Sequence, residues 1–555
     1  MKIRNNISAA VMALTFCASC NVETSTVMFV EDNDLSYASD TVFSVLGILS
    51  KVQAVADRTV LLGELRGDLV STEDQDLKAI GNFSFDNDSV ASLYRDYYAI
   101  INNCNYFLAN ADSTMKRNNA SVFAKERAVV SAYRAWTYLQ LATNFSEVPF
   151  ITTPLLSYSD IYAEHDKATL EEICTYFIND LEPQIDQPFP SYGDFSYYSN
   201  ATFDSKVFFL PIPLLLGDLY LWRGSATGNT TDFAEAAEYY HEYLTDKALY
   251  ASETFSNLYY SAEFTSWSSG WGQIFRSIKG NGERISLIPL AANSTYGRTA
   301  TLHETMAKLE GSEMLKLIVD NAPYCYTGYD IERTALKADS VFYGTKASPE
   351  YLYTTVASAE PQYTFGDLRL YQTHGFEDYT MPINKYSASQ PFVTTYRSGL
   401  VYLRLCEAIC RAGYPQTAFV LLKYGLSRGN MVAYASEELS KLMTLQWTFY
   451  DFGDNAENIG MHARGCGQSE ADSLYSITGA TNAIEAVEDL LIDELALETA
   501  FEGNRYGDLM RFAMRRGTSF IADRVASRDD DAASLNTYLK EKNNWYLPSP
   551  SFATK

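Results

Sequence analysis

Histidine is scarce in this chain: five residues in 555, at His165, His241, His303, His374 and His462. None stands in the spacing of a metalloprotease helix, and each reads as a surface or loop residue rather than a base. Basic residues are short as well, 43 Lys and Arg against 69 Asp and Glu, for a net charge of −26. That balance excludes a nucleic-acid partner, which calls for a basic footprint, and disfavours polyanionic ligands. Cysteine numbers eight, and two of these, Cys17 and Cys20, fall in the first twenty residues. Cys104, Cys174, Cys406 and Cys410 lie inside apolar helical patterns, where a thiol behaves as a small hydrophobe. Cys406 and Cys410 have no neighbouring His to complete a zinc set, so neither a metal nor another cofactor is predicted.

Long hydrophobic runs are also missing after the N-terminus. The most apolar later stretch, Val207 to Trp222, is interrupted by Pro211, Pro213 and Asp218, and reads as short of the roughly 20 apolar residues that a membrane crossing needs. The N-terminus itself carries Lys2 and Arg4, an apolar stretch from Ile7 to Phe16, and then Cys17-Ala18-Ser19-Cys20. This is the pattern of a secretion signal. Ala18 and Ser19 are small enough for lipoprotein processing, whereas cleavage before Cys17 would place Phe16 at the junction. Residues 1–19 are therefore expected to be removed, Cys20 to be acylated, and 20–40 to form a lipidated polar tether. Several acyl chains at about 0.8 kcal/mol per buried methylene suffice for stable anchoring. The chain is expected to be tethered to a membrane rather than to span one. A plain signal peptide with incidental cysteines is the alternative.

What the sequence has in quantity is helical periodicity and aromatic side chains. Hydrophobic residues make up 47% and charged residues 20%, the proportions of an ordinary globular protein. Val42, Leu46, Leu49 and Val52 form one stripe, and Tyr94, Tyr98, Ile101, Asn105 and Leu108 another. A helix is predicted over Val122 to Thr143, and a further one opened by Thr169, with Glu172 closing a capping box. Phe233, Ala237, Tyr240 and Leu244 continue the pattern. Leu400 to Ala412, Gly413, and Gln416 to Leu426 read as helix, turn and helix. Such pairs look tetratricopeptide-like, though no clean repeat period is visible. The predicted fold class is mainly α, with helix pairs, long irregular insertions and a few short strands. The stretch of about 253–390 is the main insertion, rich in Tyr, Gly, Ser and Thr, with strand-like runs at Gln273 to Ile278 and Ile285 to Leu290. Irregular insertions on a rigid scaffold are where ligand contacts tend to arise.

Catalytic motifs are few. Gly425-Leu426-Ser427-Arg428-Gly429 fits G-x-S-x-G, but the strand-to-helix turn that activates such a serine is not predicted there. Asp529-Asp530-Asp531 lacks the spacing and glycine of a calcium loop. No catalytic residue is assigned. The positive signal is 41 Tyr, 30 Phe and 6 Trp, many in Gly/Ser/Asn contexts. A sugar ring stacks a C–H face on an aromatic ring while its hydroxyls bond to Asn, Asp and Arg, and amphipathic rings suit such half-wet sites. Trp267 and Trp271 in TSWSSGWGQ are the leading candidates, against an equal prospect of core burial. Tyr296 and Arg298 in NSTYGRT, and Asn455, Asn458 and Arg464 in the loop from Asp451 to Glu470, follow.

Near the C-terminus, residues Ile492 to Gly517 read IDELALETAFEGNRYGDLMRFAMRRG. Glu494, Glu498 and Glu502 fall four apart, which puts them on one face of a helix expected to end at Gly503, with a second helix from about Arg505. The order Glu, three residues, Glu, then EGxRxxDLxRF resembles the hallmark of the SusD/RagB family of outer-membrane nutrient-binding lipoproteins. GELRGDL (Gly63 to Leu69), YxxIxxCN (Tyr98 to Asn105), RAxxYLQLATNFSEVPF (Arg134 to Phe150), YRSGLVYLRLCEAICRAG (Tyr396 to Gly413) and NWYLPSP (Asn544 to Pro550) match its pattern in order. Departures are Leu495 and Thr499, where the family tends to have Arg and Leu, Tyr94 where it tends to have Trp, and the prolines at 211 and 213.

The resemblance implies one SusD-like domain over 41–555, with a C-terminal hallmark region over about 396–555. It implies a surface-exposed outer-membrane lipoprotein that binds an oligosaccharide and delivers it to a SusC-like TonB-dependent transporter, without catalysis. A peptide-capturing member of the same family, a surface glycoside hydrolase and a ligand-free scaffold are the alternatives. Tyr94 joins the ligand candidates, as do Arg66 and Asp68 in GELRGDL, for which an internal salt bridge is the competing role.

Overall fold

Helices with apolar residues every third or fourth position dominate the computed structural model of the chain. It describes residues 38–550 apart from 199–200, 292–297, 454–458, 529–531 and most of 246–282, 323–391 and 467–473. The elements that matter below are α1 (Ala38–Gln53), α2 (Ala56–Leu65), α3 (Asn87–Asn110), α4 (Ala124–Phe145) and α5 (Leu170–Leu181). They continue with α6 (Ile212–Thr227), α7 (Thr230–Thr245), α8 (Ser398–Arg411), α9 (Pro415–Lys423), α10 (Ala483–Thr499), α11 (Arg505–Arg516) and α12 (Thr518–Ala526). Strands β1 (Arg284–Pro289) and β2 (Phe392–Arg397) pair antiparallel, Val393 opposite Ile288, and β2 runs straight into α8.

Neighbours in sequence are neighbours in space. Helix α3 packs on α4, α4 on α5, α5 on α6, α6 on α7, α7 on α8, and α8 on both α9 and α10. This is the stacked helix-pair arrangement expected from the periodicity, and one continuous hydrophobic core runs through it. The local signals hold. Thr169 accepts from the amide of Glu172, and the Glu172 carboxylate accepts from the amide of Thr169 at 2.8 Å, completing the capping box of α5. Gly413 takes φ +99° at the turn into α9. Cys104, Cys174, Cys406 and Cys410 are buried free thiols.

The prolines fit better than expected. Pro211 is the N-cap of α6 and Pro213 lies in its first turn, where a missing N–H costs nothing. The stretch 205–227 is therefore long and apolar enough to cross a membrane, with a mean hydropathy of 1.3, contrary to the reading of Val207 to Trp222 as too short. It is nevertheless 89% buried inside the protein, as a central core helix. Asp218 in its middle is satisfied by Tyr240 of α7 at 2.6 Å, Tyr396 of β2 at 2.6 Å and Arg404 of α8 at 2.6 Å, so one carboxylate joins four elements.

Gly217 is what lets α6 and α7 approach this closely. A Cβ there would sit 2.5 Å from the ring of Tyr240. Gly217→Ala is expected to destabilise the protein by about 1–3 kcal/mol through overpacking, seen as a lower urea midpoint with unchanged slope. An unchanged midpoint would mean that the interface yields freely.

Candidate functional site

The three hallmark acids build a buried ionic cluster rather than an open site. Glu494 lies 2.6 Å from Arg369, and Glu498 receives Arg369 at 3.0 Å, Arg397 at 2.7 Å and Arg464 at 2.9 Å. Glu502 takes Arg397 at 2.7 Å and Lys385 at 2.6 Å, while Glu283 holds Arg464 at 2.7 Å. All these side chains are buried. Burial alone would raise the pKa of Glu494, but Arg369 and His462 reverse it and hold the group at about 2. Glu498 is driven far below the carboxylate range in the same way, by Arg464, Arg397 and Arg369 against desolvation.

The cluster gives Glu494 an arginine partner although the next residue is Leu495, where the family tends to have Arg. That partner is Arg369, a residue 125 positions upstream of Glu494 by their numbers. Arg369, Lys385 and Glu283 all belong to the 253–390 insertion, so the acids of α10 and the following turn rivet that insertion to the scaffold. No pattern surrounds these insertion residues in the sequence, and only the isolated charges of Arg369 and Lys385 could have drawn attention to them.

Helix α10 ends at Thr499, four residues before the expected Gly503. Phe501 and Gly503 both adopt positive φ, +69° and +86°. The Glu64 carboxylate of α2 accepts from the amides of Phe501 at 3.0 Å and Gly503 at 2.7 Å, while Lys385 and Tyr386 donate to the carbonyls of Ala500 and Phe501. The turn's own polar groups are thus satisfied from outside, which removes the helix's advantage there. Helix α2 also lies so close that a Cβ on Gly63 would be 1.9 Å from the Gly503 carbonyl oxygen.

Several candidate contacts prove to be parts of this interior. Trp271 is 1% exposed and helical, edge-on to Phe275 at 5.3 Å, with Arg397 and Arg464 over its ring at 5.5 and 5.2 Å. Arg464 is wholly buried among Glu283 and Glu498. Asp68 makes the internal salt bridge, gripping Arg505 of α11 in a fork at 2.5 and 2.8 Å, whereas Arg66 forms no ion pair among the described residues and stacks its guanidinium on Tyr506 at 4.3 Å. All four side chains are buried, at 3% exposure or less. The run from Gln273, read as strand-like, is helical at Ile274 and Phe275, while Ile285 to Leu290 does form most of β1.

Tyr94 is half-buried on α3, packed against Tyr98 and Phe145 at 4.8 and 5.1 Å. Arg298 is exposed on pinned backbone, its carbonyl accepting from Ala291 at 2.7 Å. Trp267, Tyr296, Asn455, Asn458, Cys20 and the run Asp529 to Asp531 lie outside the described residues. Ser427, the serine of the formal nucleophile motif, is the N-cap of a short helix and accepts from the amide of Asn430 at 3.1 Å. A helix precedes it rather than a strand, so the strained elbow that activates such a serine is not formed. Among the described residues, no group of three or more His, Cys, Asp or Glu is placed to hold a metal.

Comparison with known proteins turns on this architecture. No family model and no curated protein matches the sequence. Solved structures do match. A SusD homolog from Bacteroides thetaiotaomicron aligns over 93% of this chain and 95% of its own, with a TM-score of 0.57 at 14% identity. A SusD superfamily protein from Bacteroides vulgatus covers 94% and 97%, with a TM-score of 0.56 at 14% identity.

The chain has the SusD-like fold.

A third match, a candidate sugar-binding protein from Bacteroides vulgatus, covers 87% and 88% with a TM-score of 0.55 at 17% identity. In this SusD-like fold the hallmark block is thus an internal clamp.

Proposed function

We propose that the protein is a non-catalytic, lipid-anchored binding protein of the outer membrane that captures an oligosaccharide at the cell surface and passes it to a SusC-like TonB-dependent transporter. The observation that carries this reading is the SusD-like fold running through more than nine-tenths of the chain. The buried ion pairs of Glu283, Arg369 and Lys385 support it further, since fixed anchor points within the insertion reduce the ordering cost of binding there. Trp267, Tyr296, Arg298 and Tyr94, with Asn455 and Asn458, are the proposed ligand contacts, and the buried Trp271 is a structural support.

Titration of the purified protein with a panel of neutral oligosaccharides tests this. Trp267→Ala is expected to weaken binding several-fold, the equivalent of roughly 1 kcal/mol for one stacking ring, with little change in melting. Binding of peptides in place of glycans would redirect the ligand, and reducing-sugar release by purified protein would end the non-catalytic reading. Mild-detergent extraction of native membranes is expected to recover a large β-barrel partner, and recovery of the protein alone would count against the transporter.

A further inference from the structure

A cavity of about 420 Å³ opens between α3, α4 and the end of α5, far in sequence from the insertion. That volume falls within the range of about 300–1,000 Å³ of clefts that take small organic ligands. Its walls are built. Asn105 donates to the carbonyls of Ile151 at 2.8 Å and Thr153 at 3.2 Å, and Asn102 exchanges two hydrogen bonds with the backbone of Leu155, at 2.7 and 3.1 Å. These bonds hold the 151–155 segment as one rim. Arg134, 5% exposed, donates to Asn105 at 3.1 Å and to Asp180 at 3.2 Å, and Arg127 donates to the carbonyls of Leu108 and Ala111 at 2.8 and 2.7 Å.

What these bonds leave over decides the ligand. The buried Nε of Arg134 has no partner. Among the described residues, the second oxygen of Asp180 and the side-chain oxygen of Gln184 take no donor, and one N–H of the Gln184 amide is donated to the Asp180 carbonyl at 2.7 Å. The hydroxyls of Ser131 and Thr152 also line the space. Side chains with donors and side chains with acceptors therefore line one cavity together. An anion would meet Asp180 and a cation would meet Arg127, whereas a hydroxyl group, which both donates and accepts, satisfies the whole set. Leu108, Ala109 and Pro154 offer apolar patches for C–H faces.

We propose that this cleft is a second binding site, for a neutral polyhydroxylated molecule of one or two sugar rings. It stands on the cleft alone and does not depend on the insertion being a glycan platform. The test uses the mature protein carrying Trp267→Ala, which removes the proposed insertion contact, titrated calorimetrically with glucose, galactose, mannose, xylose, maltose and cellobiose, and with glucuronate as the charged control. Saturable binding of at least one neutral sugar is expected, with glucuronate weaker. Adding Ser131→Leu, which fills the cavity, should abolish it. Gln184→Ala, at a partly exposed position that folding tolerates, should weaken it about ten-fold. No binding by any neutral sugar, tighter binding of glucuronate, or affinity unchanged by Gln184→Ala overturns the proposal. Binding that Trp267→Ala weakens and Ser131→Leu leaves unchanged belongs to the insertion and not to the cleft, and would likewise overturn the proposal if no other neutral-sugar binding remained.

Discussion

Glu498→Ala is expected to cost about 3–5 kcal/mol of folding stability, the penalty for removing one partner of a buried ion cluster. The carboxylate is fully buried and answers three guanidinium groups, so its loss leaves the buried Arg369, Arg397 and Arg464 with one acid fewer. Against a margin of about 5–15 kcal/mol that cost is a large fraction, up to the whole of it at the low end. Packing adds to the effect, since a Cβ on Gly399 would already meet Glu498 Oε1 at 2.2 Å. Urea unfolding monitored by circular dichroism measures the loss, and a midpoint within error of wild type would show that the cluster is not coupled to folding. The same cluster sets an acid limit. Glu494 is depressed from 4.5 to about 2, so the stability it contributes is fully present above about pH 4.5 and is lost as the pH falls towards 2. Glu64 works in the opposite sense: burial raises it to about 7, against the Gly503 and Phe501 amides, and its contribution declines as the pH rises from about 4.5 to 7.

The second large effect concerns where the protein resides. Cys20→Ala is expected to move it from the membrane fraction to the soluble fraction, because the proposed attachment consists only of the acyl chains on that residue. Each methylene contributes about 0.8 kcal/mol, so several chains hold the protein firmly and their removal leaves nothing comparable. The one described helix with the length and apolarity to cross a membrane is enclosed by protein. Fractionation followed by immunoblotting decides the matter: a Cys20→Ala protein that remains tethered and processed as before would rule out the lipid anchor.

Features encoded within a few residues were legible in the sequence. The Thr169 capping box, the glycine turn at Gly413 and the helix pairs follow from local preferences that tertiary contacts do not oppose. The face shared by Glu494 and Glu498 was equally readable. Their partners were not, since Arg369, Arg397 and Arg464 arrive from separate segments and no periodicity links them to α10. The end of α10 depended on Glu64, which reaches the turn across 437 residues. Trp271 illustrates the same limit: its Gly/Ser surroundings fit a wet loop as well as a core, and only the arrival of two guanidinium groups on its faces settles its place. The cleft between α3 and α5 left no trace, because Asn105, Arg134 and Asp180 each sit at ordinary helical positions.

The bonds between α2 and the C-terminal turn have a kinetic meaning as well. Glu64 with Phe501, Asp68 with Arg505, and the carbonyls of Leu65 and Gly67 with Arg528 join positions separated by 437 to 463 residues. Contacts of such separation are the slow ones to form, because closing a long chain loses entropy before any contact repays it. A polypeptide that emerges amino-terminus first keeps Glu64, Asp68 and the backbone around Gly67 waiting until the last tenth of the chain appears. The latch then shuts a ring, and a single cut in an exposed loop between its two sides would leave both fragments fastened to each other.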